Sequence, residues 1–119
     1  MRIIVADDSR VMRQIVVRTL RQAGFDWEVM EAEDGAQALQ LALSESPDLV
    51  LSDWNMPNML GIEMLQQLRA TGSKIPVGFV TSEGSPQMRE IAQRAGANFL
   101  IQKPFDAATF KSILGAFNR

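Results

Sequence analysis

The chain has 119 residues, 46% of them hydrophobic and 22% charged, which suits one globular domain with its own core. A formal net charge of −2 offers no basic footprint, so we expect no nucleic-acid partner. Because cysteine and histidine are both absent, disulfide, thiol and imidazole chemistry are excluded, and carboxylates, hydroxyls, lysine and backbone remain.

No apolar stretch is long enough for a signal peptide or a bilayer-spanning helix. The sequence shows no linker and no internal repeat. We therefore expect a cytoplasmic protein without membrane insertion, with residues 1–119 forming a single domain that has no output domain attached.

Five short apolar runs are predicted as strands. Most are rich in branched residues, as buried parallel strands are. The second run alternates polar and apolar residues, which is typical of an edge strand. The runs cover residues 3–6, 28–32, 49–51, 77–80 and 99–101.

Between the strands, apolar residues recur at helical spacing, so five helices are predicted. Ser9 and Asp106 are expected to cap the first and fifth helices, and Gly96 to end the fourth. Pro47 closes the second helix, and Gly72 follows the third. The stripes expected to face the core are Met12, Ile15, Val16 and Leu20; Ala38, Leu39, Ala42 and Leu43; Met64, Leu65 and Leu68; Met88, Ile91, Ala92 and Ala95; and Phe110, Ile113, Leu114 and Phe117.

Alternating strands and helices imply right-handed crossovers and a parallel sheet covered on both faces. An eight-stranded barrel needs at least about 200 residues, so an open, doubly wound α/β sheet is predicted. Ligands on such sheets gather at the carboxyl ends of the strands.

Polar side chains collect at those carboxyl ends. Asp7 and Asp8 follow the first strand, Asp53 the third, Thr81 the fourth and Lys103 the fifth. At an effective dielectric of about 20, two carboxylates about 4 Å apart repel by roughly 4 kcal/mol. A divalent cation and one lysine would balance three carboxylates, and oxygen-only ligands favour Mg²⁺. The pattern therefore predicts a magnesium site that binds phosphoryl groups.

The motifs at these positions resemble those of bacterial two-component response-regulator receiver domains, the chemotaxis members most closely. The resemblance covers the whole chain and implies a flavodoxin-like fold with strand order 2-1-3-4-5 and five helices. It is carried by four segments in order, namely Asp7-Asp8, the run from Ser52 to Met59, the run from Val80 to Glu83, and the run from Gln102 to Phe105.

By this resemblance, Asp53 is the phospho-acceptor. The resemblance also implies that Asp8, Asp53 and the backbone carbonyl of Asn55 ligate Mg²⁺, with Asp7 acting mainly through a bridging water. Lys103 would pair with Asp53 and then with the phosphoryl oxygens. These roles suit a reaction that depends on positioning and charge neutralisation.

The same resemblance implies a switch. Thr81 would bond a phosphoryl oxygen and move its loop inward, while Asn55 and Glu83 tune the lifetime of the acyl phosphate. The bond between Lys103 and Pro104 would be cis. Receivers commonly carry Tyr or Phe three residues before the lysine, where this chain has Leu100, which we expect to pack near Thr81.

The implied function is that of a stand-alone response regulator which catalyses only its own phosphorylation and dephosphorylation. Its partners would be a histidine kinase or phosphotransfer protein, a target on the fourth-helix, fifth-strand and fifth-helix face, and a possible phosphatase. Output to a flagellar motor is favoured, with a relay or adaptor role in another pathway as the alternative. The oligomeric state stays open between a monomer and a phosphorylation-dependent dimer that would form through the face with Leu100 and Lys111.

Several residues near Asp53 have two interpretations. Leu60 stands before Gly61, where the family usually has Asp or Asn, and packing on the third helix is favoured over a partner surface. Trp54, Met56 and Met59 either form an exposed docking patch or cover the core.

Three rival classes fit less well. A haloacid-dehalogenase-type phosphatase needs a second aspartate at the position of Ser9. A nucleotide-binding module needs a glycine-rich first turn, whereas this turn has no glycine and carries two aspartates. An adaptor with unused chemistry would not need all five polar residues.

Overall fold

A computed structural model, which describes residues 1–118, shows five strands and five α-helices that alternate along the chain. All strand pairs are parallel, in the order β2-β1-β3-β4-β5, which confirms the flavodoxin-like prediction and places β2 at one edge. The elements are β1 Arg2–Ala6, α1 Arg10–Gln22, β2 Glu28–Ala32, α2 Gly35–Glu45, β3 Leu49–Ser52, α3 Gly61–Ala70, β4 Val77–Thr81, α4 Pro86–Ala95, β5 Phe99–Gln102 and α5 Ala107–Leu114.

The helix ends lie where the capping residues predict them. The Ser9 hydroxyl accepts the amide of Met12, and the Asp106 carboxylate accepts that of Thr109, so each satisfies a free amide in a first turn. Gly96 ends α4 at φ 101°, a left-handed conformation that favours glycine. The fifth helix is shorter than predicted, because a 3₁₀ turn, Gly115–Phe117, follows it.

Two apolar layers pack on the two faces of the sheet. One layer joins α1 and α5 to the sheet through residues such as Leu20 and Phe110. The other joins α2, α3 and α4, with Leu65 and Phe79 at its centre. Within residues 1–118, no helix has the length and apolar character that a membrane span requires.

Three residues of the predicted core stripes, Ile15, Leu43 and Ile91, are exposed instead. Each lies on the flank of its helix, because α1, α2 and α4 bury only the narrow face that meets the sheet and the neighbouring helix. Ile15 lines a shallow groove with Pro104 and Phe105. The helical spacing of the apolar residues is therefore confirmed, but the prediction that these three side chains face the core is wrong.

Candidate metal centre

Parallel register brings the three aspartates together. Ala6 of β1 pairs with Ser52 of β3, so Asp7 and Asp53 leave adjacent strands at the same level. One carboxylate oxygen from each of Asp7, Asp8 and Asp53 lies within 4.8 Å of the others. Asp7 is 4% exposed, the Asp53 side chain is 15% exposed and Asp8 is exposed, so the cluster opens to solvent on the Asp8 side.

Lys103 brings a positive charge into contact with this cluster. Its Nζ lies 3.3 Å from Asp7 Oδ2 and 3.3 Å from Asp53 Oδ2. The Lys103 amide donates to the carbonyl of Thr81 at 2.7 Å, and the Lys103–Pro104 peptide bond is cis. One ammonium against three carboxylates leaves the cluster with a net negative charge.

Hydrogen bonds hold Asp53 in place. Its amide donates to the Ala6 carbonyl at 2.8 Å, and its Oδ1 accepts the Trp54 amide at 2.7 Å. Gly61, the first residue of α3, lies so close that a Cβ there would be 2.3 Å from the Asp53 carbonyl oxygen. The Asp53 carboxylate is therefore oriented by backbone before any ligand arrives.

Thr81 is the last residue of β4, and Asn55 and Glu83 lie in the loops that follow β3 and β4. Thr81 is fully buried at the end of β4, and its hydroxyl accepts the Glu83 amide at 3.3 Å, so that bond stays within its own loop. Asn55 and Glu83 are exposed, and they lie two residues after Asp53 and Thr81 respectively. The structure thus brings Asp7, Asp8, Asp53 and Lys103 together and leaves Thr81 engaged elsewhere.

Leu100 lies on the same face of β5 as the α4 layer, where it is buried with Phe79. Phe99 points to the opposite face and contacts Phe117, with ring centroids 5.4 Å apart. Gly78 on β4 leaves room for the Phe99 ring, since a Cβ at Gly78 would lie 1.7 Å from that ring. On the α4 face, the residue three before the lysine is therefore a leucine that is already packed.

The residues that follow Asp53 mostly cover the core. Trp54 and Met56 are buried, and the Trp54 and Phe79 rings lie 4.9 Å apart, so the docking-patch interpretation is wrong for these two. Leu60 is exposed at the N-cap of α3. Because the residue is 37% exposed, packing on the third helix and a partner surface both stay predictions for Leu60.

Sequence reasoning missed the hydrogen bonds that join the loop between β3 and α3 to the start of α2. Asp34 is buried and accepts the Gln37 amide and the Asn58 side-chain amide, each at 2.8 Å. These bonds, first that of Gln37 and then that of Asn58, hold the pKa of Asp34 below its usual 3.8. The Gly35 amide also donates to the Met59 carbonyl at 3.1 Å. An aspartate directly before a helix is a capping signal that would have revealed part of this.

Sequence reasoning also missed Arg13, which is buried in the first turn of α1. Its Nη1 donates to the carbonyl of Asp7 at 2.7 Å, and its Nε pairs with Glu31 at 2.8 Å. A charged residue on a helix is usually exposed, so the sequence alone gives no signal for this contact.

The donor set suits a hard divalent cation. Every candidate ligand atom is an oxygen, and Mg²⁺ prefers one or two carboxylates with open positions for water or phosphate. The charge of the three carboxylates would be balanced by one such ion together with Lys103. The residues present therefore fit the magnesium ion that the sequence predicts.

Comparison with known proteins identifies the class. The profile of the "Response regulator receiver domain" family matches residues 3–114, and the chain belongs to this family. It is 41% identical over 116 residues to chemotaxis protein CheY-3 of Vibrio cholerae, covering 96% of this chain and 88% of that protein. It is 39% identical over 113 residues to CheY of Pseudomonas aeruginosa, covering 93% of this chain and 90% of that protein.

Solved structures of response regulators superpose closely on this chain. Vibrio cholerae CheY4 superposes with a TM-score of 0.85 at 34% identity, covering 98% of both chains. The receiver domain of the Francisella response regulator 1452 superposes with a TM-score of 0.87 at 25% identity, covering 98% of this chain and 94% of that chain. The protein is thus a CheY-like receiver domain, a signalling switch of a family that generally uses Mg²⁺.

Proposed function

We propose that this chain is a stand-alone response regulator that accepts a phosphoryl group on Asp53. The donor is the phosphohistidine of a histidine kinase or phosphotransfer protein. A carboxylate oxygen of Asp53 forms a bond to phosphorus while the phosphorus–nitrogen bond of the donor breaks, and the imidazole leaves with that electron pair. The observation that carries this proposal is Asp53 itself, held by backbone and 3.3 Å from Lys103 in an acidic cluster.

Asp7, Asp8, Asp53 and the backbone carbonyl of Asn55 are the groups that would hold Mg²⁺. When bound, the ion would neutralise charge on the phosphoryl oxygens. Lys103 then turns from the Asp53 carboxylate to a phosphoryl oxygen, because phosphorylation consumes one carboxylate charge and adds nearby acceptors. A short N–H···O bond to that oxygen would stabilise the transferred group.

Thr81 couples phosphorylation of Asp53 to the surface formed by α4, β5 and α5. Its hydroxyl, which accepts the Glu83 amide at 3.3 Å, donates its proton to a phosphoryl oxygen, and this bond draws the loop after β4 toward Asp53. That loop leads directly into α4, so its movement biases the surface formed by α4, β5 and α5 between two populations. A partner that binds one population better reads the signal.

The partner on that surface is a protein. The Vibrio and Pseudomonas relatives are named chemotaxis proteins, and the chain covers about nine tenths of their length, which supports a chemotaxis output such as a flagellar motor switch. A relay component of another pathway is the alternative. A pull-down from phosphorylated and unphosphorylated protein separates these outputs by the protein retained.

Exposure to acetyl phosphate with Mg²⁺ tests the acceptor. Intact-mass spectrometry should show a labile adduct of about 80 Da, the mass of one phosphoryl group, in the wild type. Asp53→Asn should abolish the adduct, whereas Asp26→Asn, at a fully exposed aspartate, should leave it unchanged. An undiminished adduct on the Asp53→Asn protein would refute the proposal.

A further inference from the structure

Arg13 is a buried cation that the proposed phosphoryl transfer does not use. Its side chain is only 8% exposed, and it lies between α1 and the edge strand β2. Burying a guanidinium is unfavourable unless its donors are paired. Both contacts are short, with Nη1 2.7 Å from the Asp7 carbonyl and Nε 2.8 Å from Glu31 Oε1.

The contact with Asp7 completes a clamp on that residue. The Asp7 amide donates to the Ala32 carbonyl at 3.0 Å, and Asp7 Oδ1 accepts the Ser9 amide at 2.9 Å. Arg13 holds the third polar group, the backbone carbonyl. This carbonyl belongs to the peptide unit that joins Asp7 to Asp8, and a peptide unit is planar. Fixing its oxygen therefore fixes the direction in which the chain enters Asp8.

The influence of Arg13 on the acidic cluster is positional rather than electrostatic. Its charge is matched by Glu31, so the pair adds no net charge near the aspartates. The cation in contact with the carboxylates is Lys103. Asp8 is exposed, so its carboxylate relies on the backbone for its placement beside Asp7.

We infer that Arg13 is a positioning residue for divalent-cation binding, because it sets the orientation of the Asp7–Asp8 peptide and hence of the two carboxylates. This inference rests on the proposed function. Loss of the guanidinium leaves the aspartates in place along the chain but widens the range of their mutual orientations. The cost then falls on Mg²⁺ affinity rather than on the reactivity of Asp53.

The test is a Mg²⁺ titration in which tryptophan fluorescence reports binding, since Trp54 adjoins Asp53. Arg13→Gln should raise the dissociation constant for Mg²⁺ by on the order of tenfold, and Arg13→Lys should raise it less, because an ammonium can still donate to one carbonyl. In acetyl-phosphate reactions, the Mg²⁺ concentration for half-maximal rate should rise in parallel. The rate at saturating Mg²⁺ should change by less than about twofold, as expected when only binding is lost.

Two controls separate positioning from stability. Arg69→Gln removes an exposed arginine–carbonyl bond, from Nη2 to the Gly96 carbonyl at 2.9 Å, together with the other bonds of that guanidinium. These bonds lie at the C-terminal ends of α3 and α4, so this variant should destabilise the fold without changing Mg²⁺ affinity. Glu31→Gln keeps the Arg13–Asp7 contact but leaves the guanidinium charge unmatched, so its change in Mg²⁺ affinity measures the electrostatic effect alone and should be smaller than that of Arg13→Gln. In metal-free protein, Arg13→Gln should speed hydrogen exchange of the Ser9 amide beyond the change seen in Arg69→Gln.

The outcomes are distinct. If wild-type protein binds no Mg²⁺ and takes no phosphoryl group, the proposed function fails. If the wild type does both and Arg13→Gln matches its Mg²⁺ affinity and Ser9 exchange, only the inference about Arg13 is overturned. Should Arg13→Gln fail to fold, wild-type Mg²⁺ affinity in a folded Arg13→Met protein, which also lacks the donor to the Asp7 carbonyl, would overturn it equally.

Discussion

Lys103 Nζ and Asp53 Oδ2 lie 3.3 Å apart although 50 positions separate the two residues. They leave β5 and β3, which are joined in the sheet only through β4. The same ammonium also contacts Asp7. Lys103 is thus the cation that allows two largely buried carboxylates to face each other before a metal binds.

Replacing Lys103 with methionine should therefore weaken both fold and function. In metal-free protein, the free energy of unfolding should fall by on the order of 1–3 kcal/mol, because Asp7 and Asp53 lose their shared cation. Phosphoryl acceptance should slow by about a hundredfold, the usual cost of losing one charge-stabilising donor. Lys74→Met, at an exposed lysine, is the matched control for urea unfolding and acetyl-phosphate kinetics. Equal rates in the two variants would contradict this role.

Asp34 should make stability depend on acidic pH. Its pKa is lowered in the folded protein, chiefly by the Gln37 amide and then by Asn58, so its contribution is full above the ordinary value of 3.8. That contribution is lost as the pH falls through the lower folded value. Asp34→Asn keeps a capping oxygen but not the charge, so the difference from the wild type should shrink as the solution becomes more acidic. Urea titrations at several pH values measure this difference in the free energy of unfolding. A difference that grows toward low pH would contradict a lowered pKa of Asp34.

Gly61 should not tolerate a side chain. A Cβ at this position would lie 2.3 Å from the Asp53 carbonyl oxygen and 2.9 Å from the Phe79 ring. Gly61→Ala should therefore lower the free energy of unfolding by about 2–4 kcal/mol, since backbone must move. Gly115→Ala meets open space in right-handed backbone and should be neutral or stabilising by up to about 1 kcal/mol. Similar urea midpoints for the two variants would contradict the close approach.

Gly78 and Phe99 should behave as a coupled pair across β4 and β5. Gly78→Ala alone should cost about 1–3 kcal/mol, because the Phe99 ring occupies the space that the methyl group needs. Phe99→Leu leaves part of that space free, so the double variant should be less destabilised than the two single changes together, by about 0.5–3 kcal/mol. Strict additivity in a double-mutant cycle would show that the ring can move aside at no cost.

The fold and most of the site follow from sequence because both depend on local rules that the chain obeys. Ser9 and Asp106 mark helix starts through their side-chain oxygens, and the run of short apolar strands leaves one sheet architecture at this length. Since parallel strands end at one edge, residues such as Asp7 and Asp53 must converge there. The acidic cluster was therefore predictable from spacing alone.

The remaining features depend on three-dimensional contacts that have no sequence period. Arg13 is buried because β2 happens to present Glu31 opposite it, and a charged helix residue gives no such signal. Ile15 continues an apolar stripe yet lies beyond the reach of the sheet. Phe99 lies on the face opposite Leu100 and its ring contacts Phe117, a contact that no sequence period predicts.

Chemical mapping of the phosphoryl group tests the central claim most directly. After reaction with acetyl phosphate and Mg²⁺, borohydride reduction converts an aspartyl phosphate to homoserine, and peptide mass spectrometry locates it. The account predicts homoserine at position 53, and none when Mg²⁺ is chelated beforehand. Homoserine at position 7 or 8, or labelling that is indifferent to chelation, would contradict it.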